Sequence, residues 1–364
     1  MKKNKTTFSF FYKCFVCYTL VVYALLAWVP FSGWIWGFVM MTFPLVIAGH
    51  LLYLIFSLFS NKKNLILPLI ILLLGCFFLP RTYSFHSKGD NKTDSGRKSF
   101  KVMSYNVHVF QHYSDNTKME VKQDIAEMRK WITTSGADVL CMPEYYNYEK
   151  SELFNVMPEF KKAGYKHTAY LNEFHGNRPE NFWGLAIFSK LPIIAMKDTV
   201  FMAQNGMVST DIKVGKDTVR IIALHMYSMT LQLDVLKNQK TTKGMIKEGK
   251  STARQIKSGF VNHAMEMQLL EEWIKASPHP VIVCGDFNET PYGYVYGKTK
   301  ALLNNAFEEK GSGFGFTFNK LPYFIRIDHQ FYDPEKLSLV NFKTINSVKY
   351  SDHYPIMGTY QIRK

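Results

Sequence analysis

Five short segments place a polar or acidic residue where an apolar run should end: Ser104-Tyr105-Asn106, Met142-Pro143-Glu144, Leu224-His225, Gly285-Asp286-Phe287-Asn288 and Ser351-Asp352-His353. Charged groups at the ends of buried strands are costly unless paired or metal-bound, so several of them together point to a shared site. Their types suit hydrolysis of a phosphate ester. That reaction needs a hard cation to neutralise phosphoryl oxygens, a group to orient and deprotonate water, and donors for developing charge. Asn106, Glu144 and Asp352 offer the oxygen ligands that Mg²⁺ or Mn²⁺ prefers. Asp286 and Asn288 can orient and deprotonate the attacking water, while His353 and His225 can donate to the phosphate and the leaving group. Asp328, in Arg326-Ile327-Asp328, ends another apolar run and can hold a histidine in one tautomer. Taken singly, Asn106 reads as a turn residue, His225 as a satisfied core histidine, Glu144 as a solvent-facing acid and Gly285-Asp286-Phe287-Asn288 as a turn after a strand. Their joint occurrence outweighs those readings.

To meet, these residues need strands beneath them. Residues 100–109 form a β-branched and aromatic run, expected as a strand; Val121, Ile125, Met128 and Ile132 then fall at helical spacing before Gly136, and a strand returns at 138–142. Further strands are expected at 185–188, 208–214, 219–224, 281–284, 324–331 and 337–342, with a hairpin at Val214-Gly215-Lys216-Asp217. Many strands with few helices imply an α+β, sheet-layered enzyme. Residues 231–273 read as helical, with a basic middle that includes Lys237, Lys240, Lys243, Lys247, Lys250, Arg254 and Lys257. That run is either a solvated face or a contact for a phosphate backbone or anionic lipid head groups.

The N-terminal part has another composition. No Lys, Arg, Asp or Glu occurs in residues 14–61 or 64–80. About 20 apolar residues cross a bilayer, so the first run is long enough to cross twice, broken at Pro30, Ser32 and Gly33. Three spans are expected, at 14–29, 34–60 and 65–79. A cleaved signal peptide competes for the first, but it lacks a small-residue cleavage site and more apolar sequence follows at once. His50 is the ionisable group inside the spans and reads as a packed or interfacial residue, so the spans form an anchor rather than a transport path. The organisation expected is a membrane anchor at 1–80, an exposed linker at 81–99 and a catalytic domain at 100–364.

The formal charge of +15 divides unevenly, with about 11 Lys and Arg against 2 acids in residues 1–100 and about 33 against 27 beyond them. Most of the excess therefore flanks membrane, and the mildly basic remainder suits an anionic phosphate substrate without demanding DNA. Lys2, Lys3, Lys5, Lys13, Lys62 and Lys63 share one side, which the positive-inside tendency makes cytoplasmic. Three spans then put the catalytic domain outside the cytoplasm, although Arg81, Lys88, Lys92, Arg97, Lys98 and Lys101 on the far side weaken the bias. Cys14, Cys17 and Cys76 lie in apolar spans, and Cys141 and Cys284 in expected buried strands, where a free thiol behaves as a small hydrophobe.

In order and chemistry, Ser104-Tyr105-Asn106, Pro143-Glu144, Gly184-Leu185-Ala186-Ile187-Phe188-Ser189, Leu224-His225, Gly285-Asp286-Phe287-Asn288, Arg326-Ile327-Asp328 and Ser351-Asp352-His353-Tyr354-Pro355 resemble the endonuclease/exonuclease/phosphatase superfamily. The resemblance spans residues 100–362. It implies a DNase I-like four-layer sandwich, two β-sheets packed face to face with helices outside. It also implies that Glu144, Asn106 and Asp352 bind metal, that Asp286 and Asn288 handle the nucleophilic water, that His353 with Asp328 forms the catalytic histidine and its orienting acid, and that His225 contacts the phosphate or assists the leaving group. Two neighbours depart from the pattern: Pro143 stands where a Gln usually precedes the metal-binding Glu, and Leu224 where a Thr usually precedes the second histidine. With its anchor the chain resembles a bacterial membrane-anchored branch, which implies a multi-pass inner-membrane protein. The implied partners are the lipid bilayer and a phosphate-ester substrate, either nucleic acid or a phospholipid or inositol phosphate; no obligate protein partner is evident. A catalytically inactive binding module on the same fold is the competing reading, disfavoured because every expected polar position is filled.

Overall fold

Successive side chains of a strand point to opposite faces, and in the central strands of this chain both faces are apolar. Such strands must be covered twice, which produces layers. The computed structural model describes residues 2–86, 98–171, 178, 180–229, 235, 237–238 and 241–363. It places β1 (Ser84–Phe85), β2 (Ser99–Ser104), β3 (Val139–Tyr148), β4 (His167–Tyr170), β5 (Asn181–Ser189), β6 (Ile193–Met202), β7 (Asn205–Val214), β8 (Asp217–His225), β9 (Val281–Asp286), β10 (Asn304–Asn305), β11 (Ser312–Gly313), β12 (Asp328–Tyr332), β13 (Leu337–Thr344) and β14 (Ile356–Ile362). Two sheets have six strands each, in the orders β13-β14-β2-β3-β5-β4 and β10-β12-β9-β8-β7-β6, while β1 and β11 form a short ribbon. The pairs β2/β3 and β8/β9 are parallel and the other neighbours antiparallel.

The alternation can be followed residue by residue. Val102, Cys141 and Ile187 of one sheet meet Ile221, Ala223, Ile282 and Cys284 of the other in the inter-sheet core. Their chain neighbours Met103, Leu140 and Phe188 face outward, onto Ile125, Met128 and Ile132 of the helix Met119–Thr134. On the opposite side Ile222, Leu224 and Val283 pack against Met267 and Leu270 of the 34-residue helix Thr242–Lys275. Helix, sheet, sheet and helix thus form the four layers expected, and each fully buried aliphatic side chain contributes about 1.5–3 kcal/mol through burial. Cys141 and Cys284 are buried free thiols in the innermost layer.

Several expected boundaries shift. The run at 100–109 is strand only to Ser104; His108, Val109, Phe110 and Gln111 all have positive φ, a left-handed turn that non-glycine residues adopt at a cost. Two buried apolar side chains, Val109 and Phe110, and a hydrogen bond from Gln111 Nε2 to the Tyr350 carbonyl (2.8 Å) hold it. In the expected strand at 324–331, residues 324–327 are irregular and pairing starts at Asp328. Strands β4, β6 and β14, and the two-residue strands β1, β10 and β11, are not among those expected. The hairpin at Val214-Gly215-Lys216-Asp217 joins β7 to β8, with Gly215 at φ 69°. Within the expected helical region, residues 231–234, 236 and 239–240 lie outside the described residues, and the helix begins at Thr242, capped by Thr241 Oγ1 accepting from Gly244 N (3.0 Å).

Three N-terminal stretches, Phe10–Trp28, Trp34–Ser60 and Lys62–Thr82, are long and apolar enough to cross a membrane. His50 is buried among them and fully engaged, with Nδ1 against Tyr12 Oη (2.9 Å) and Nε2 against Thr19 Oγ1 (2.8 Å). These helices lean on the sandwich. Phe38 meets Phe260 edge-on at 5.6 Å, and Phe43 packs on Tyr292 at 5.0 Å. In the expected exposed linker Phe85, His86, Lys98 and Ser99 are exposed, but Arg81 and Ser84 are buried, Arg81 Nη2 donates to the Leu26 carbonyl (3.1 Å), and β1 pairs with β11. Residues 87–97 lie outside the described residues.

Gly285 fixes the register on which the rest depends. It pairs with Leu224 across the parallel β8/β9 ladder at φ 150°, and a Cβ there would collide with the Leu224 carbonyl oxygen. Gly285→Ala is expected to lower stability by about 2–3 kcal/mol or to prevent folding, read from the thermal midpoint of the detergent-solubilised chain. An unchanged midpoint would show that the close approach is absent.

Candidate active site

Strand direction decides which ends meet. The parallel strands β8 and β9 both finish at one edge with His225 opposite Asp286, and antiparallel β12 begins at that edge with Asp328 opposite Asp286. In the facing sheet, β2 and β3 also run parallel, and β14 starts opposite Ser104, so the preceding Ser351, Asp352 and His353 arrive at the same place. A register shift in β3 between Met142 and Tyr145 leaves Glu144 at φ 53°, outside the ladder. All eight expected residues gather at this common edge of the two sheets.

At its centre lies the buried Asp286 carboxylate. Its Oδ2 accepts from Asn106 Nδ2 (3.1 Å) and stands 3.7 Å from His353 Nε2 and 3.8 Å from His225 Nε2. Its Oδ1 accepts from the Asn288 backbone N–H (2.9 Å), while Asn288 Nδ2 donates to the Met226 carbonyl (3.0 Å). His353 Nδ1–H donates to Asp328 Oδ2 at 2.7 Å, which fixes the tautomer and turns Nε2 toward Asp286. Ser351 Oγ donates to the Asn106 carbonyl (2.8 Å), tying the two loops.

Burial pushes the Asp286 carboxyl up to about 6, with Asp328 adding to the rise and His353 and His225 opposing it. For His353, burial alone would favour the neutral ring, but the Asp328 and Asp286 carboxylates outweigh it and hold its pKa well above the usual histidine value. His225 moves the other way, lowered by burial. Near neutral pH the arrangement therefore combines a protonated His353, a neutral His225 and a carboxylate that takes up a proton on slight acidification.

Two groupings offer donors to a cation. Asp286, Asp328 and His353 bring ligand atoms within 4.8 Å of one another, but the Asp328–His353 hydrogen bond already engages His353 Nδ1 and Asp328 Oδ2. Glu144 and Asp352 each have side chains 19% exposed and line one cavity with Asp286 and His353, so they can present oxygen to an ion. Asn106 Nδ2 donates to Glu144 Oε1 (3.0 Å) and its Oδ1 accepts from the His108 N–H (3.0 Å), so it joins an oxygen set only after rotating. With that rotation the donors suit a hard divalent cation.

The sequence reading missed four contributors. His108 Nδ1 lies 3.7 Å from Asp352 Oδ1 and lines the cavity, placed there by the left-handed turn. Thr317 Oγ1 accepts from the Asp328 N–H (3.1 Å), and Phe318 sets its ring edge-on to His353 at 5.2 Å. Buried Glu289, next after Asn288, bridges His263 Nδ1 (3.1 Å) and the Val295 N–H (2.8 Å), bracing the loop. Only Glu289 carried a signal, as an acid directly following Gly-Asp-Phe-Asn.

Residues 103–353 match the model of the Endonuclease/Exonuclease/phosphatase family, and residues 5–82 match a domain of unknown function. Among solved structures, the chain is similar to an endonuclease/exonuclease/phosphatase family protein from Bacteroides thetaiotaomicron, at 16% identity and TM-score 0.53, over 74% of this chain and 99% of that one. It is also similar to the endonuclease/exonuclease/phosphatase from Bacteroides vulgatus, at 11% identity and TM-score 0.51, over 73% and 100%. A third, from Beutenbergia cavernae, has 14% identity and TM-score 0.50, over 73% and 72%. At these identities the likeness concerns the fold. A search of curated proteins finds no match.

Beside Asp328, on the other face of β12, His329 is buried and donates Nε2–H to the Glu289 carbonyl (2.9 Å), leaving Nδ1 without a partner among the described residues. Burial, helped by the Arg326 cation, pushes its pKa down to about 3. The unfolded histidine binds a proton below about pH 6.5, whereas the folded one does so only near 3, so this group removes stability as pH falls through that window. Between pH 7 and 5 the loss attributable to His329 should be on the order of 2 kcal/mol. The difference in unfolding free energy between the parent and His329→Gln should move in the variant's favour by that amount as pH falls from 7 to 5; parallel pH profiles would refute the assignment.

Proposed function

Because the chain belongs to the endonuclease/exonuclease/phosphatase family, we propose that it is a divalent-metal-dependent phosphoesterase held in a membrane by its three N-terminal apolar helices. The observation that carries this reading is the convergence of His353, His225 and Asn106 on one oxygen of buried Asp286. Glu144 and Asp352, with Asn106 after rotation of its amide, would hold Mg²⁺ or Mn²⁺. Such an ion neutralises charge on phosphoryl oxygens.

The chain's own groups do the rest. Asp286 as a carboxylate accepts the proton of an attacking water, and its orientation is set by the Asn288 N–H on Oδ1. His353, kept cationic by Asp328, supplies a charged donor to a phosphoryl oxygen. His225, neutral and buried, presents Nε2 between Asp286 and Glu144, 3.8 Å from each, and can hydrogen-bond a phosphate placed there. The spans and the basic residues at their ends support a multi-pass protein of a bacterial inner membrane, with the catalytic domain outside the cytoplasm.

The purified full chain is expected to hydrolyse bis(p-nitrophenyl) phosphate with Mg²⁺ or Mn²⁺ and to lose that activity in EDTA. His353→Ala and Asp286→Asn should each lower turnover about 10²- to 10⁴-fold, with the fold retained by circular dichroism. Unchanged turnover in both variants would sink the site assignment, and silence from folded parent protein would favour a membrane-anchored binding module.

A further inference from the structure

The cavity that reaches the catalytic groups continues beyond the sandwich. It measures about 740 Å³, and its polar end holds Glu144, Asp286, Asp352 and His353. The rest of its lining is mainly apolar. One wall is built by Met41, Pro44 and Leu45 of the second apolar stretch, and another by Phe318 and Phe324 of the loops leading to β12. The wall from the anchor lies where that stretch is interrupted: helix Trp34–Met41 ends, Thr42 intervenes, and helix Phe43–Ser60 resumes with Pro44 in its first turn. Leu45 and Phe324 are 71% and 66% exposed, an apolar lip that water does not favour and acyl chains do.

Two further observations put this lip at the membrane surface. Lys257 sits over the Trp34 ring at 4.5 Å, and Phe260 packs on Phe38, so helix Thr242–Lys275 runs beside the start of the second stretch. That helix exposes Met245 and Ile246 among Lys243, Lys247 and Lys250, the mixture that binds anionic lipid interfaces. A nucleic-acid strand would need cations free to follow its backbone. The cavity's arginines are not free in that sense. Arg81 donates to the Leu26 and Pro291 carbonyls, and Arg326 to those of Arg81 and Phe314.

We infer that the substrate is a phosphate ester of a membrane lipid, taken from the bilayer, whose phosphate reaches Asp286 and His353 while its acyl chain lies between Leu45 and Phe324. The inference rests on the phosphoesterase reading above and names its substrate class. Water adds to phosphorus, the P–O ester bond breaks, and the released oxygen takes a proton, so no other reactant is required.

The test uses the full chain reconstituted with Mg²⁺ in vesicles of dioleoyl phosphatidylcholine containing in turn dioleoyl phosphatidylglycerol, phosphatidylethanolamine, phosphatidic acid or a sphingolipid phosphodiester. Bis(p-nitrophenyl) phosphate and a single-stranded DNA 20-mer are run in parallel. At least one lipid should be cleaved, and faster than DNA. In Leu45→Arg and in Phe324→Asp the ratio of lipid to bis(p-nitrophenyl) phosphate turnover should fall about tenfold or more; the second variant lies outside the spans, so it reads the passage even if the first fails to insert. An unchanged ratio in Phe324→Asp, DNA cleaved in preference to every lipid, or cleavage of the soluble ester with all lipids untouched would overturn the inference while leaving the phosphoesterase reading standing. No cleavage of any substrate would instead remove that reading, and the inference with it.

Discussion

A carboxylate buried between the edges of two sheets is the constraint around which this molecule is arranged. Asp286 has almost no contact with solvent, and a bare anion there would cost several kcal/mol. The remedy is a ring of nitrogens, each delivered by a different element: Asn106 after β2, His225 at the end of β8, Asn288 from its own loop and His353 before β14. None of these can be moved alone. The parallel pairing of β8 with β9, made possible by a glycine at position 285, sets the spacing between His225 and Asp286, and the antiparallel start of β12 sets Asp328 beneath His353. The four-layer packing keeps both sheet edges in place while the compensation remains incomplete enough for the acid to titrate near neutrality.

The candidate site was legible because the strands beneath it are apolar on both faces, so a polar residue at their ends stands out. Val281 to Cys284 carry no polar side chain before Asp286, and the same is true of Ile221 to Leu224 before His225. The strands that escaped notice lack that contrast. β6 is an edge strand with mostly exposed or half-buried residues and no clean alternation, and β14 breaks its apolar residues with Gly358, Thr359 and Gln361. The turn at His108 was hidden for a different reason. Val107 to Phe110 have strand-like residue types, and only the packing of Val109 and Phe110 with the tether to Tyr350 forces the left-handed path. Local propensity cannot report a conformation imposed by distant partners.

The relation between anchor and sandwich was the least visible feature. Hydropathy marks where spans begin and end, but it says nothing about which side chains a span shares with the rest of the chain. Arg81 follows the last apolar residues and reads as an interfacial charge, yet it is buried and tied to Leu26 and Pro291. Tyr292, six residues past Asp286, belongs to the same apolar cluster as the N-terminal apolar helices. The loop that carries Asn288 and Glu289 therefore continues directly into the anchor's contact surface. Spans and sandwich share one core at this seam, and separating them would expose Phe43, Phe78 and Tyr292 together.

A cavity whose lip is formed by Leu45 has a kinetic corollary. An enzyme fed through such a lip samples its substrate in two dimensions, so its occupancy follows the mole fraction of that lipid in the leaflet rather than an amount per volume of solution. Dilution with inert lipid then acts as a competitive brake, and dilution with buffer does nothing. An enzyme of that kind and its substrate never need to leave the same sheet of molecules.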